Sequence, residues 1–247
     1  MSRSVINLQN VWMTYDRKEY VLKDLSFSIN KGENFFIVGS SGSGKSTILK
    51  LINGTLNPFK GSINVLDDKP DTKNKAFRQK MGKIGYMPQN LGLVKNVSVL
   101  ENVLLGSLPN MNIWRSLLKK FTHEDIENAN KALKEVGLEG KESRKAYMLS
   151  GGEKRRVIIA RTLTQKPDII LADEIVSELD HSTAEEVMSL MMRTKKKLGI
   201  TSVMVHHDVG ITMEYADRIM VMRKGEKIGE YDVKDISRSK LLETLKN

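Results

Sequence analysis

Residues 39–46 read Gly-Ser-Ser-Gly-Ser-Gly-Lys-Ser, with an apolar run, Phe35 to Val38, just before them and an apolar-periodic stretch, Ile48, Leu49 and Ile52, just after. Strand, glycine-rich turn and helix in that order satisfy the pattern G-x-x-x-x-G-K-[ST] in the context that gives it meaning. Glycine reaches backbone angles closed to other residues, so successive N–H groups of Gly39, Ser40, Ser41, Gly42, Ser43 and Gly44 can turn inward. They then form a nest for phosphate oxygens at the positive end of the following helix. In such a nest Lys45 reaches the β- and γ-phosphates of a nucleoside triphosphate, and the Ser46 hydroxyl ligates Mg²⁺. An ordinary Gly/Ser surface loop is the alternative, and it leaves the closing Lys-Ser unexplained.

A chain of 247 residues buries a core without staples, as one large α/β domain or two small ones. It contains no cysteine, which excludes disulfides, thiolate zinc sites and cysteine nucleophiles and leaves metals to oxygen or imidazole. No apolar run approaches the roughly 18 to 20 residues that span a bilayer. Met1 to Asn10 lacks the apolar centre of a signal peptide, and the expectation is a soluble cytosolic chain. The formal net charge is +10, with basic clusters at Lys119-Lys120, Lys154-Arg155-Arg156 and Lys195-Lys196-Lys197. Anionic lipid or nucleic acid suits such clusters, and so do plain solvated helix faces.

Alternation of apolar Ile6 and Leu8, then Leu22, Leu25, Phe27 and Ile29, with polar neighbours predicts half-buried antiparallel strands, joined by Gly61 to Val65. Phe35 to Val38, Ile169 to Ala172 and Ser202 to Val205 are nearly continuous apolar runs and read as buried parallel strands. Ligand groups belong at the carboxyl ends of such strands, where Gly39, Asp173 and His207 fall. Thr122 predicts an N-cap, with Glu124 and Asp125 in the first turn and Gly137 as the stop. Ser182-Thr183-Ala184-Glu185 reads as a capping box opening a second amphipathic helix that ends at Gly199. Ile219 to Met222 and Lys227 to Glu230 predict a hairpin, and residues 237–247 a loosely attached helical tail.

Two further stretches bear on chemistry. Ile169 to Glu174 is an apolar strand ending in two carboxylates; Asp173 suits a Mg²⁺ ligand and Glu174 a general base, although a surface turn explains an isolated acid pair equally well. Leu149-Ser150-Gly151-Gly152-Glu153 precedes a helical stretch, Lys154 to Thr164, and makes either a second anion site or a simple cap. With this last motif the chain, from Leu8 to about Tyr231, resembles the ATPase subunit of ABC (ATP-binding cassette) transporters, whose signature is Leu-Ser-Gly-Gly-Gln followed by a basic helix.

The resemblance implies an α/β P-loop NTPase cassette over residues 1–236. It would have a mixed, largely parallel core sheet, an N-terminal antiparallel β subdomain and a helical subdomain at about residues 90–164 carrying the signature. It implies ATP and Mg²⁺ as cofactors. Tyr15 is then the aromatic that stacks on adenine, though it also suits a strand aromatic. Thr47 joins the phosphate loop, Gln89 is the loop glutamine that touches Mg²⁺, and Asp180 anchors the loop crossing the dimer. Glu174 and His207 are the catalytic pair, and Ser46, Gln89 and Asp173 hold the metal. Ser150, Gly151, Gly152 and Glu153 meet the nucleotide of a second copy. A zinc site is the competing reading of His206-His207.

Three positions depart from the family pattern: Glu153 stands where Gln is usual, Ile175 where Pro is usual, and Glu178 where a small residue is usual in the crossing loop. The implied partners are a second copy of the chain, two membrane permease subunits and, indirectly, a substrate-binding protein, with no nucleic acid. The implied location is the cytoplasmic face of the membrane. Residues 98–106, Trp114-Arg115-Ser116-Leu117-Leu118 and the helix ending at Gly137 are similar to ATPases of phosphonate importers. Transporters of amino acids or lipoproteins, exporters, and ABC proteins acting on ribosomes or nucleic acid are the alternatives.

Overall fold

The computed structural model describes residues 3–111, 114–115, 118 and 120–246, and the chain forms two compact units. The first comprises residues 1–81, 171–174 and 199–247. Here β1 (Ser4–Met13) lies between β2 (Leu22–Asn30) and β4 (Lys60–Val65), antiparallel to both. Leu8 faces Phe27 on one neighbour and Ile63 on the other, and Ile6, Leu8, Leu25 and Ile29 are buried. The period-two pattern therefore marks the covered face of this sheet, as expected.

In the same unit β3 (Asn34–Gly39) runs parallel to β7 (Thr201–Val205) and β8 (Arg218–Arg223). The strand order is β6-β7-β3-β8-β9, with β6 (Ile169–Asp173) contributing its last three residues and β9 (Glu226–Asp232) closing an antiparallel hairpin. Phe35, Phe36 and Ile37 are fully buried, which accounts for their unbroken apolar run. Both faces of a parallel strand are covered, so no alternation is left to read. Helices α1 (Lys45–Ile52), α2 (Lys75–Lys80), α7 (Val209–Tyr215) and α8 (Arg238–Lys246) complete the unit. The predicted loose tail is corrected here: α8 packs on α7 and buries Leu241 completely.

The second unit comprises residues 82–170 and 175–198. It holds β5 (Ile84–Met87) and helices α3 (Val99–Leu104), α4 (His123–Glu135), α5 (Gly151–Thr164) and α6 (His181–Leu198). Helix α5 packs against α3, α4 and α6, so its buried Val157, Ile158 and Ala160 form the centre of this unit. The unit extends beyond 90–164 because α6 shares that core.

Thr122 caps α4 in a reciprocal box with Asp125, as its position predicts. The box expected at Ser182 does not form. Helix α6 already starts at His181, where Asp180 Oδ1 accepts from Thr183 N at 3.0 Å, and Glu185 turns to His181 at 3.1 Å. An aspartate two residues earlier takes the free N–H and makes the serine redundant. Trp114 and Leu118 are exposed, at 73% and 61%; Ser116 and Leu117 lie outside the described residues. Among the described residues no helix is long and apolar enough to cross a membrane.

Candidate nucleotide-binding site

Lys45 is buried, and its Nζ donates to the carbonyls of Gly39 and Ser40, each at 2.8 Å. The loop thus curls around its own lysine. Gly44 caps α1 at φ 99° and offers no side-chain acceptor, which leaves the first N–H groups of the helix to an anion. A Cβ on Gly44 would meet Leu22 Cδ2 at 2.6 Å and Val21 O at 3.0 Å, and one on Gly39 would overlap Met222 O. Gly225 N donates to Ser43 O at 3.2 Å and pins the loop from the β8–β9 turn. Among the described residues Ser43 Oγ is buried without a partner. A polyphosphate oxygen is what such donors lack.

The carboxyl ends of neighbouring strands bring the rest of this half together. Ser46 Oγ donates to Asp173 Oδ1 at 3.0 Å. A hydroxyl and a carboxylate side by side suit a hard divalent cation. Burial raises the Asp173 carboxyl above the usual carboxylate range; the Ser46 hydrogen bond opposes that, Glu174 adds to it, and Lys45 opposes it again. Lys45 is lowered by burial, against the pull of Glu174 and Asp173. Glu174 takes a positive φ of 49°, fixed as its N–H donates to Val205 O at 3.1 Å. Its Oε2 lies 3.7 Å from His207 Nδ1.

Tyr15 is 58% exposed, and its hydroxyl shares a 3.2 Å hydrogen bond with Thr47 Oγ1. Among the described residues His206 joins no group of side chains that could hold a metal ion; it is buried, its Nδ1 accepts from Asp208 N at 2.9 Å, and it stacks on His207. Burial and the neighbouring His207 push its pKa down to about 4. It therefore stays neutral, a supporting role that the paired histidines in sequence do not reveal.

In the second unit Ser150 caps α5. Its Oγ accepts from Glu153 N at 3.2 Å, and its N–H donates to Glu153 Oε2 at 2.8 Å. Lys141 pairs with the other oxygen of Glu153, and that hydrogen bond, followed by the one from Ser150 N–H, holds the carboxyl below its usual range. The Glu at this position is thus occupied within its own unit. Gly152 is pressed against Thr183, since a Cβ there would meet Thr183 Cγ2 at 2.7 Å. The signature turn and the start of α6 at Asp180 are therefore neighbours. Gln89 is exposed in the loop after β5.

Two arginines, Arg155 buried and Arg161 half-buried, organise this unit without being foreseen. Arg161 donates to Leu91 O at 3.1 Å and Gly92 O at 2.9 Å, holding the loop that follows Gln89. Arg155 donates to Ile175 O and Ser177 O, each at 2.6 Å, and to Gly151 O at 3.3 Å. The signal for either was only a basic residue on a helix face that is otherwise buried.

Residues 22–177 match the ABC transporter family. A phosphonates import ATP-binding protein of Halalkalibacterium halodurans is 38% identical over 238 residues, covering 94% of this chain and 91% of the relative. One from Nitratidesulfovibrio vulgaris is 42% identical over 216 residues, covering 85% and 82%. Among solved structures, an ATP-binding cassette of an ABC transporter in its ADP conformation aligns with a TM-score of 0.83 at 29% identity, over 100% of this chain and 96% of that one. A dimeric post-hydrolysis cassette bound to ADP and Pi aligns with a TM-score of 0.79 at 32% identity, over 94% and 100%.

Proposed function

As a member of the ABC transporter family this chain is an ATPase that powers transport, and we propose that it drives import of a phosphonate, or a related phosphorus oxyanion, through separate membrane subunits. The carrying observation for the chemistry is the convergence of Lys45, the Ser46–Asp173 pair and the Glu174–His207 pair at the ends of three strands. For the substrate, support comes from relatives named for phosphonate import that match nearly the full chain.

In this reading the loop N–H groups of residues 39–46 and the Lys45 ammonium bind the β- and γ-phosphates and disperse their charge. Ser46, Asp173 and Gln89 would hold Mg²⁺, which would supply positive charge against the negative charge of the phosphates. Glu174 orients the attacking water and accepts its proton, and His207 donates toward the γ-phosphate. Tyr15 stacks on the base in this reading.

Two copies meet head to tail, so that Ser150, Gly151 and Gly152 of one copy face the γ-phosphate held by the other, and Asp180 anchors the crossing loop. Hydrogen bonds from both copies to one triphosphate exist only when the pair is closed, so ATP binding closes it and hydrolysis releases it. The exposed Trp114 and Leu118 belong to the face turned toward the membrane subunits.

Glu174→Gln is expected to abolish turnover while accumulating an ATP-bound dimer, read by size-exclusion chromatography coupled to light scattering. A variant that stayed monomeric with ATP and Mg²⁺ would overturn the dimer. ATPase activity of the complex with its membrane subunits should rise with a phosphonate. Stimulation by amino acids alone would overturn the substrate assignment.

A further inference from the structure

Arg155 sits on the first turns of α5 and is buried, at 7% exposure. Its guanidinium spends its donors on three carbonyls: Gly151 in the signature turn, and Ile175 and Ser177 in the crossing loop. One rigid planar group thus ties both segments. A buried charge needs a counter-charge. Here the acid is Glu178, whose Oε2 stands 3.9 Å from Arg155 Nη2. Burial lowers the Arg155 pKa and Glu178 alone opposes that shift.

Glu178 is also an odd residue for its place. It holds a positive φ of 71°, a conformation that disfavours any side chain with a Cβ. Its own side chain is 82% exposed, so hydrophobic burial does not select it. Among the described residues, pairing with Arg155 is the ion pair that rewards an acid there. By sequence Glu178 is only a departure, an acid where a small residue is usual; the geometry gives the carboxylate a partner.

We propose that Arg155 is a positioning residue that makes the signature turn and the crossing loop one rigid element, and that Glu178 is the acid that holds it in place. The consequence rests on the dimer reading above. Both segments then reach the second copy's nucleotide together, and Glu178 lowers the ATP concentration at which the pair closes. A purely repulsive Glu178 would raise that concentration, so the two roles differ in sign.

The test uses the full chain carrying Glu174→Gln, with dimer formation measured against Mg-ATP concentration. Adding Glu178→Gln is expected to raise the half-point about threefold, the sum of two weak pairs per dimer, at unchanged melting temperature. Adding Arg155→Gln as well should cost no more than Arg155→Gln alone, because one broken pair cannot be broken twice. A half-point that falls or stays put in the Glu178→Gln variant overturns the proposal. Amide hydrogen exchange at residues 175–180 in the nucleotide-free protein separates this from the dimer reading. If the parent chain never dimerises, faster exchange in Glu178→Gln still supports the anchoring, while unchanged exchange overturns it.

Discussion

At the start of α1 the backbone itself makes the anion cradle, whereas at the start of α5 side chains make the turn. Gly44 caps α1 without a side-chain acceptor, and the loop wraps Lys45 in its own carbonyls. Ser150 and Glu153 cap α5 reciprocally, with Lys141 behind them. A backbone cradle leaves its helix N–H groups unspent, but only glycine can make its turns. A side-chain cap is complete in itself and tolerates exchange of its members, at the expense of N–H groups no longer free to bind. In the proposed function the first kind suits the copy that holds the nucleotide, and the second suits a surface that meets one only when a partner brings it.

The contrast can be broken most severely at Gly44. Gly44→Ala places a Cβ against Leu22 and Val21 O at a positive φ, so ATP binding by titration and steady-state hydrolysis should fall by about a hundredfold or more, with a melting-temperature loss matching about 2 kcal/mol. Smaller losses would mean that the loop yields, and that the backbone cradle is less rigid than its contacts indicate.

The first unit also contains a buried neutral histidine. The pKa of His206 is depressed to about 4 in the folded state, against ~6.5 unfolded. As pH falls through that window the unfolded chain takes up a proton that the folded chain refuses, so stability falls with pH, by at most about 3 kcal/mol. Urea unfolding between pH 7 and 4 checks this, and His206→Gln should flatten that part of the profile.

At the side-chain cap the expected effects shrink. Ser150→Ala removes the acceptor for Glu153 N–H and should cost about 1 kcal/mol in chemical denaturation. Glu153→Gln preserves the reciprocal cap and loses only the partly exposed Lys141 pair, so it should stay within about 0.5 kcal/mol of the parent. If Glu153→Gln matched Ser150→Ala in cost, the Lys141 pair would be the true anchor of the turn.

Much of this architecture was legible residue by residue. Alternation along Ile6, Leu8, Leu25 and Ile29 marks the antiparallel sheet, and unbroken apolar runs mark β3, β6 and β7, because burial on one face or two leaves different periods. Thr122 and Gly137 frame α4, since caps act within a turn of the helix end. The start of α6 was misread by two residues, because Asp180 and Ser182 are both good caps and only the chain's path into the helix selects between them. The docking of α8 through Leu241 was missed, because a single buried leucine has no period.

By itself, then, the sequence determined where most strands and helices lie and which residues are candidates to meet a triphosphate, since those follow from spacing, glycine conformation and residue chemistry over a few neighbours. Only the tertiary structure decided that Ser46 touches Asp173, 127 positions away, and that Glu174 faces His207. It alone decided that Glu153 is held within its own unit, and that Arg155 joins the signature turn to the crossing loop. Such contacts depend on where packed strands and helices bring distant backbone carbonyls. A residue's identity says what it can bind, and the fold decides what stands within reach.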